Sequence, residues 1–170
     1  MLFTLLRPAS NIVEPKIMNV LENRVPPPLI AVLAAVMMWV IARDAPAIPI
    51  GSNVRLALAG VLAVVGILLA RAGFRAFGRA NTTVNPVNIE AASALVTSGV
   101  YSYTRNPMYL GLVTFLLAWA VYLAVPWTLL GLLAFVLYIT RFQIIPEERV
   151  LHKKFGDAYA AYQRQVRRWL

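Results

Sequence analysis

The chain has no cysteine and a single histidine, His152. Without cysteine there is no disulfide, no thiolate metal site and no cysteine nucleophile. With one histidine, a multi-histidine metal centre is excluded. Histidine-based acid–base catalysis is left with one candidate, placed at the polar boundary of a surface helix. Acidic residues are scarce: 7 Asp and Glu stand against 16 Lys and Arg, giving a net charge of +9. Neither a GxGxxG turn nor a phosphate-binding P-loop is present, and there is no Ser/His/Asp set. Charge is also missing from long stretches. From Asn106 to Thr140, 35 residues pass without one charged side chain.

What fills the chain is apolar. Hydrophobic residues make up 60% of the 170, with mean hydropathy +0.69. Soluble domains lie nearer 45–50%. The composition therefore implies one integral membrane domain. In such a protein the positive charge reports topology and contact with anionic lipid before it reports nucleic acid.

The opening MLFTLLRPAS is too short an apolar run for a secretory signal, and Arg7 and Pro8 interrupt it. Residues 1–24 are expected to form a surface segment, either a short amphipathic helix over Ile12–Leu21 or a partly ordered terminus. A first span follows Pro26-Pro27-Pro28, with 18 uncharged residues from Val25 to Ala42. Prolines suit a helix entry, and the length matches a bilayer core. A second span covers roughly Val54–Ala70, and Arg71, Arg75 and Arg79 continue it on one helical face as topology anchors. Asn81–Ala92 reads as a surface loop.

The uncharged stretch from Asn106 to Thr140 would be about 52 Å long as a single helix, too long for a core of about 30 Å. Pro126 is its natural break, with Trp119, Tyr122 and Trp127 as an interfacial aromatic belt. Spans three and four thus form a hairpin. Residues 146–166 are expected to be a membrane-surface helix, with Leu151, Phe155, Tyr159, Tyr162 and Val166 on its apolar face. The expected fold is an all-α membrane bundle of about four transmembrane helices, with surface helices at both ends. Its parts are 1–24, the first two spans and loop at 25–92, and a catalytic half at 93–170.

Residues 1–24, 71–105 and 141–170 hold 14 of the 16 Lys and Arg. The positive-inside rule places both termini and these segments in the cytoplasm, as in a multi-pass bacterial inner-membrane protein. The hairpin then returns two polar clusters to one membrane face. One is ALVTSGVYSYTRNPMYLG at 94–111, and the other is RFQIIPEER at 141–149. Arg141 either faces the bundle as a functional group or snorkels to the interface. Glu147 and Glu148 either bind a cationic ligand or serve as ordinary acidic residues at a helix start. Adjacent carboxylates point about 100° apart on a helix, so they should not share one task. Asn106-Pro107 either caps span three or offers its free N–H groups to a ligand.

Four stretches, LVTSGVY at 95–101, RNPMYLG at 105–111, Glu147-Glu148 and FGDAYAAYQRQVRRW at 155–169, resemble the isoprenylcysteine carboxyl methyltransferases and their phospholipid methyltransferase relatives. The resemblance covers about the last 80 residues. It implies S-adenosylmethionine as cofactor and a lipid-like or amphipathic substrate, with membrane lipids as surroundings and neither metal nor nucleic acid. Carried over residue by residue, the cofactor contacts are Ser93, Ala94, Leu95, Val96, Tyr101, Asn106, Pro107, Met108, Tyr109 and Glu147. Arg105 and Arg141 fit near the reacting group. Glu148 is available to accept a proton if the acceptor is an amine or thiol. Two departures stand out: Asn106 replaces a histidine, and the basic residues before the Glu pair are reduced to Arg141. The competing classes are an NADPH-dependent membrane reductase of sterol-reductase type and a non-enzymatic small membrane protein.

Overall fold

The computed structural model describes residue 22 and residues 24–80 and 94–170. Ser93 and nearly all of the N-terminal segment lie outside the described residues. Helix α1 is Pro27–Asp44 and α2 is Ser52–Arg79. A 3₁₀ turn at Gly99–Ser102 leads to α3, Pro107–Leu123. Pro126–Thr128 forms a second 3₁₀ turn, then α4 is Leu129–Ile139 and α5 is Ile145–Gln165. No strand occurs among the described residues.

Three helical stretches are long and apolar enough to cross a membrane: Pro27–Asp44, Ser52–Arg79 and Pro126–Gln165. The fourth apolar helix, Pro107–Leu123, has 17 residues. Pro27 and Pro107 each occupy a first turn, where the missing N–H costs nothing. Pro126 breaks the uncharged run as its ring requires, and Ala124 just before it takes a left-handed conformation at φ 52°.

Helix α2 runs on from the expected span through all three arginines to Arg79, as their four-residue spacing suggested. One boundary differs from the sequence expectation: no new helix begins at Pro146. The chain passes from α4 into α5 through a π-turn at Thr140–Ile144, where the Ile145 N–H donates to the Thr140 carbonyl. Pro146 has no N–H and its ring would strike the carbonyl four residues back. The wider π register relieves that clash without breaking the helix. Glu147 and Glu148 are therefore not at a free helix start, and the dipole account of the pair falls away. Farther along, Gly156 (φ 50°, ψ −124°) breaks the regular geometry of α5.

The bundle is held by two kinds of contact. Apolar packing unites Met38 of α1, Leu116 and Ala120 of α3, and Phe135 and Ile139 of α4. Close backbone approach unites α2 with α3 at Gly66 and Gly111. A Cβ on Gly111 would lie 2.9 Å from the Gly66 carbonyl oxygen and 3.3 Å from the Ala70 Cβ. Small residues permit this approach, which membrane helices need because lipid removes the hydrophobic drive between them. Gly111→Leu is expected to wedge α2 from α3 and cost about 1–3 kcal/mol. A lowered thermal midpoint in detergent checks this, and an unchanged midpoint refutes the contact. The indole N–H of Trp119 adds a bond to the Ala35 carbonyl at 3.0 Å.

Candidate active site

The site forms where the start of α3 meets the start of α5. Tyr109 lies in the first turn of α3, and Glu147 lies just past the π-turn. Their side chains meet: the Tyr109 hydroxyl donates to a Glu147 carboxylate oxygen. Tyr101, in the 3₁₀ turn before α3, is 5% exposed. Its ring meets Phe77 of α2 edge-on, with centroids 5.5 Å apart. Burial pushes the Tyr101 hydroxyl above its ordinary value, and Tyr162 and Glu147 add to that. Tyr101 therefore stays neutral at physiological pH. Met108 is fixed from the other side, its side chain pressed against Gly73 of α2.

Glu148 faces different partners. Arg105 pairs with it at 3.0 Å, and Arg168 forks onto both of its oxygens at 3.0 and 2.7 Å. The two carboxylates thus have separate partners, as the angular step between neighbours on a helix demands. Around this triad the C-terminal tail is laced to the turn before α3. The Arg105 N–H donates to the Arg167 carbonyl at 3.0 Å. The side-chain amide of Asn106 donates to the Arg168 carbonyl at 2.9 Å. It makes no side-chain cap to α3. An uncharged amide at this position holds the tail. Tyr162 completes the lacing by donating to the Tyr101 carbonyl at 2.6 Å. Tyr159, Tyr162 and Val166 pack with Leu95, Leu151 and Phe155. Much of the apolar face of α5 is therefore covered by the chain itself, where the sequence pattern alone suggested lipid.

Arg141 stands in a second ion cluster. It donates to Glu22 at 2.9 Å, and Arg149 donates to the same oxygen at 2.6 Å. Arg105 and Arg141 are thus each held by a different carboxylate. Beside Arg141, Gln143 is 1% exposed and ties the π-turn to the entry of α1 through the Val25 carbonyl at 2.8 Å. Burial raises the Glu22 carboxyl, but hydrogen bonds from Arg141 and Arg149 outweigh it and hold the group below its ordinary 4.5. A depressed carboxyl stabilises the fold above its unfolded value, and the gain disappears as pH falls through the folded value. The midpoint difference between wild type and Glu22→Gln is expected to be present at neutral pH and to close in acid, below the usual carboxylate range. A difference independent of pH would disprove the pairing.

Of the residues expected at the site, the structure joins Tyr101, Tyr109 and Glu147 in one cluster. It places Pro107 and Met108 in the adjoining first turn of α3. Leu95 packs against Tyr159 and Tyr162 of α5, and Val96 is buried. Ala94 is half-buried at the start of the same segment. The sequence alone did not single out Arg168, Glu22, Phe77 or Gly73. Only Arg168 had a sequence cue, its place in the Arg-Arg-Trp tail. Among the described residues no group of three or more His, Asp or Glu side chains converges as a metal site.

The phospholipid methyltransferase family model matches residues 54–158, more than half of the chain, and takes in Tyr101, Arg105, Tyr109, Glu147 and Glu148 but not Glu22 or the tail with Tyr162 and Arg168. The chain belongs to the phospholipid methyltransferase family. The match begins in α2 and ends in α5, so it includes the helix that braces Tyr101 as well as the Tyr109–Glu147 contact. Among relatives of this family member, an uncharacterized protein of Haemophilus influenzae is 49% identical over 63 residues, which is 37% of this chain and all of that one. Protein-S-isoprenylcysteine O-methyltransferase A of Arabidopsis thaliana is 33% identical over 109 residues, 62% of this chain and 54% of that one. A probable protein-S-isoprenylcysteine O-methyltransferase of Oryza sativa subsp. indica is 31% identical over 109 residues, 62% of this chain and 56% of that one. The chain spans about half the length of these plant proteins. Family membership and the long apolar helices together make it an integral membrane protein.

Proposed function

We propose that this family member transfers a methyl group from S-adenosylmethionine to an amphipathic or lipid-like acceptor at the cytoplasmic membrane face. The observation that carries the proposal is the contact between Tyr109 and Glu147. It joins the two motifs at the mouth of a helical hairpin. The residues fit the cofactor's chemistry. Glu147 is a carboxyl group whose hydrogen-bond donor here, Tyr109, is neutral, which leaves its charge pairing to a ligand's ammonium group. The first turn of α3 leaves the Met108 and Tyr109 N–H groups without intrahelical acceptors. Tyrosine ring faces favour a sulfonium cation.

In this reading Glu147, Tyr101, Tyr109 and the segments 93–96 and 106–108 hold the cofactor. The bound sulfonium supplies an already activated methyl group. The protein's task is then mainly alignment and exclusion of water. Glu148, clamped between Arg105 and Arg168, positions Arg105 and the tail. It becomes a proton acceptor only if one guanidinium is released. The acceptor atom is a carboxylate oxygen, an amine or a thiol. The names of the plant relatives favour the first and the family's name a lipid head group. Four spans, with Pro107–Leu123 as the third and residues 93–170 as the catalytic half, agree with the distribution of Lys and Arg.

Calorimetry with S-adenosylhomocysteine, with NADPH titrated in parallel, tests the proposal on detergent-solubilised protein. Saturable binding of S-adenosylhomocysteine alone is the expected result. Binding of NADPH alone would replace the proposal with a reductase. Binding of neither, in folded protein, would leave a non-enzymatic membrane protein.

A further inference from the structure

Helix α2 is longer than a bilayer core needs. Its 28 residues extend about 42 Å, against a hydrocarbon thickness of about 30 Å. The excess lies at the end that carries Arg71, Arg75 and Arg79. All three are exposed. Among the described residues none of them has a hydrogen-bond or ion-pair partner. The sequence offers little local neutralisation, since no acidic residue occurs between Asp44 and Glu90.

The register of the helix separates two faces. At about 100° per residue the three arginines fall within a sector of about 80°. Gly73 and Phe77 lie about 180° from the middle of that sector. Those are the residues that touch Met108 and Tyr101. One face of the protruding segment therefore braces the candidate site, and the opposite face presents three guanidinium groups away from the protein at the level of the membrane surface.

We propose that the Arg71, Arg75 and Arg79 face binds anionic phospholipid head groups of the leaflet on the site's side. The chemistry is charge complementarity with phosphate at the interface, where each arginine adds roughly fivefold to lipid association. Guanidinium groups suit phosphate oxygens because their N–H donors form a planar fork. Lipid held there fixes the outer turns of α2, and with them the surface on which Tyr101 and Met108 rest. The bilayer's charge is thereby linked to the site through one helix.

The test uses the whole protein in phosphatidylcholine bilayers and needs no cofactor, so it is independent of the proposed reaction. Electron paramagnetic resonance gives the association of spin-labelled phosphatidylglycerol relative to spin-labelled phosphatidylcholine. The wild type is expected to prefer the anionic lipid about fivefold or more at low salt, and less at high salt. Arg71→Gln/Arg75→Gln/Arg79→Gln is expected to lose at least two thirds of that preference. The matching triple lysine variant is expected to keep most of it. Arg75→Gln alone carries the test should the triple glutamine variant not fold, with a drop of up to about fivefold. No preference in the wild type would overturn the proposal. So would a folded glutamine variant, triple or single, with wild-type preference.

Discussion

Glu147→Gln is expected to weaken S-adenosylhomocysteine binding about 45- to 150-fold while leaving the protein folded. The substitution keeps the side-chain volume and an oxygen that accepts from Tyr109. It removes the negative charge. A hydrogen bond to a charged group is worth about 1.5–3 kcal/mol, and the upper half of that range gives the stated loss. Tyr109→Phe is expected to have a smaller effect, because the carboxyl group stays in place and loses only a neutral donor. Calorimetry of the two variants against wild type measures the difference. Wild-type affinity in a folded Glu147→Gln protein would remove Glu147 from the cofactor site, whatever the reaction.

Glu148→Ala is expected to lower stability by about 3–5 kcal/mol. Its carboxylate is shared by Arg105 and Arg168, and the side chains of Glu148 and Arg105 are only 13% and 11% exposed. Removing the acid leaves two guanidinium groups side by side, one of them largely buried. Breaking a buried pair in this way costs more than the pair itself contributes, because the remaining charge is left uncompensated. The tail that the pair holds also braces Asn106 and Arg105 through their bonds to residues 167 and 168. Cofactor affinity is therefore expected to fall with stability. Glu148→Ala/Arg168→Ala should recover part of the loss, and a double-mutant cycle on thermal midpoints measures the coupling. Additive losses would show that Glu148 and Arg168 act separately.

Several features of the site were legible in the sequence because they rest on local rules. Pro107 and Pro126 mark helix boundaries through the geometry of their own rings. The uncharged run between Arg105 and Arg141 had to fold back, since the bilayer limits helix length. That return brings Tyr109 and Glu147 to the same face, although they are 38 residues apart. Other features were not legible. Pro146 has the form of a helix start, yet the π-turn before it carries the helix through. Whether a proline breaks a helix depends on whether a neighbouring turn can widen, and no local pattern records that. The continuation of α2 through Arg71, Arg75 and Arg79 could be read from their spacing, but the packing of its other face, Gly73 on Met108 and Phe77 on Tyr101, could not.

The assignment of each charged group to its partner is also tertiary. Arg105 and Arg141 look alike in sequence, each at the end of the same uncharged run. In the structure one belongs to Glu148 and Arg168, and the other to Glu22 and Arg149. Each pairing joins residues distant along the chain, so periodicity and spacing carry no information about it.

By itself, the sequence determined that this is a helical membrane protein without cysteine or multi-histidine chemistry, with its polar motifs at the ends of an apolar hairpin. Composition, ring geometry and bilayer thickness suffice for that, because each acts on a single segment. The tertiary structure alone decided which acid holds which arginine, that Asn106 anchors the tail, and that α2 supports the site on one face and leaves three arginines on the other. Those outcomes depend on which surfaces meet when the helices pack, and burial fixes that only once the whole chain has folded.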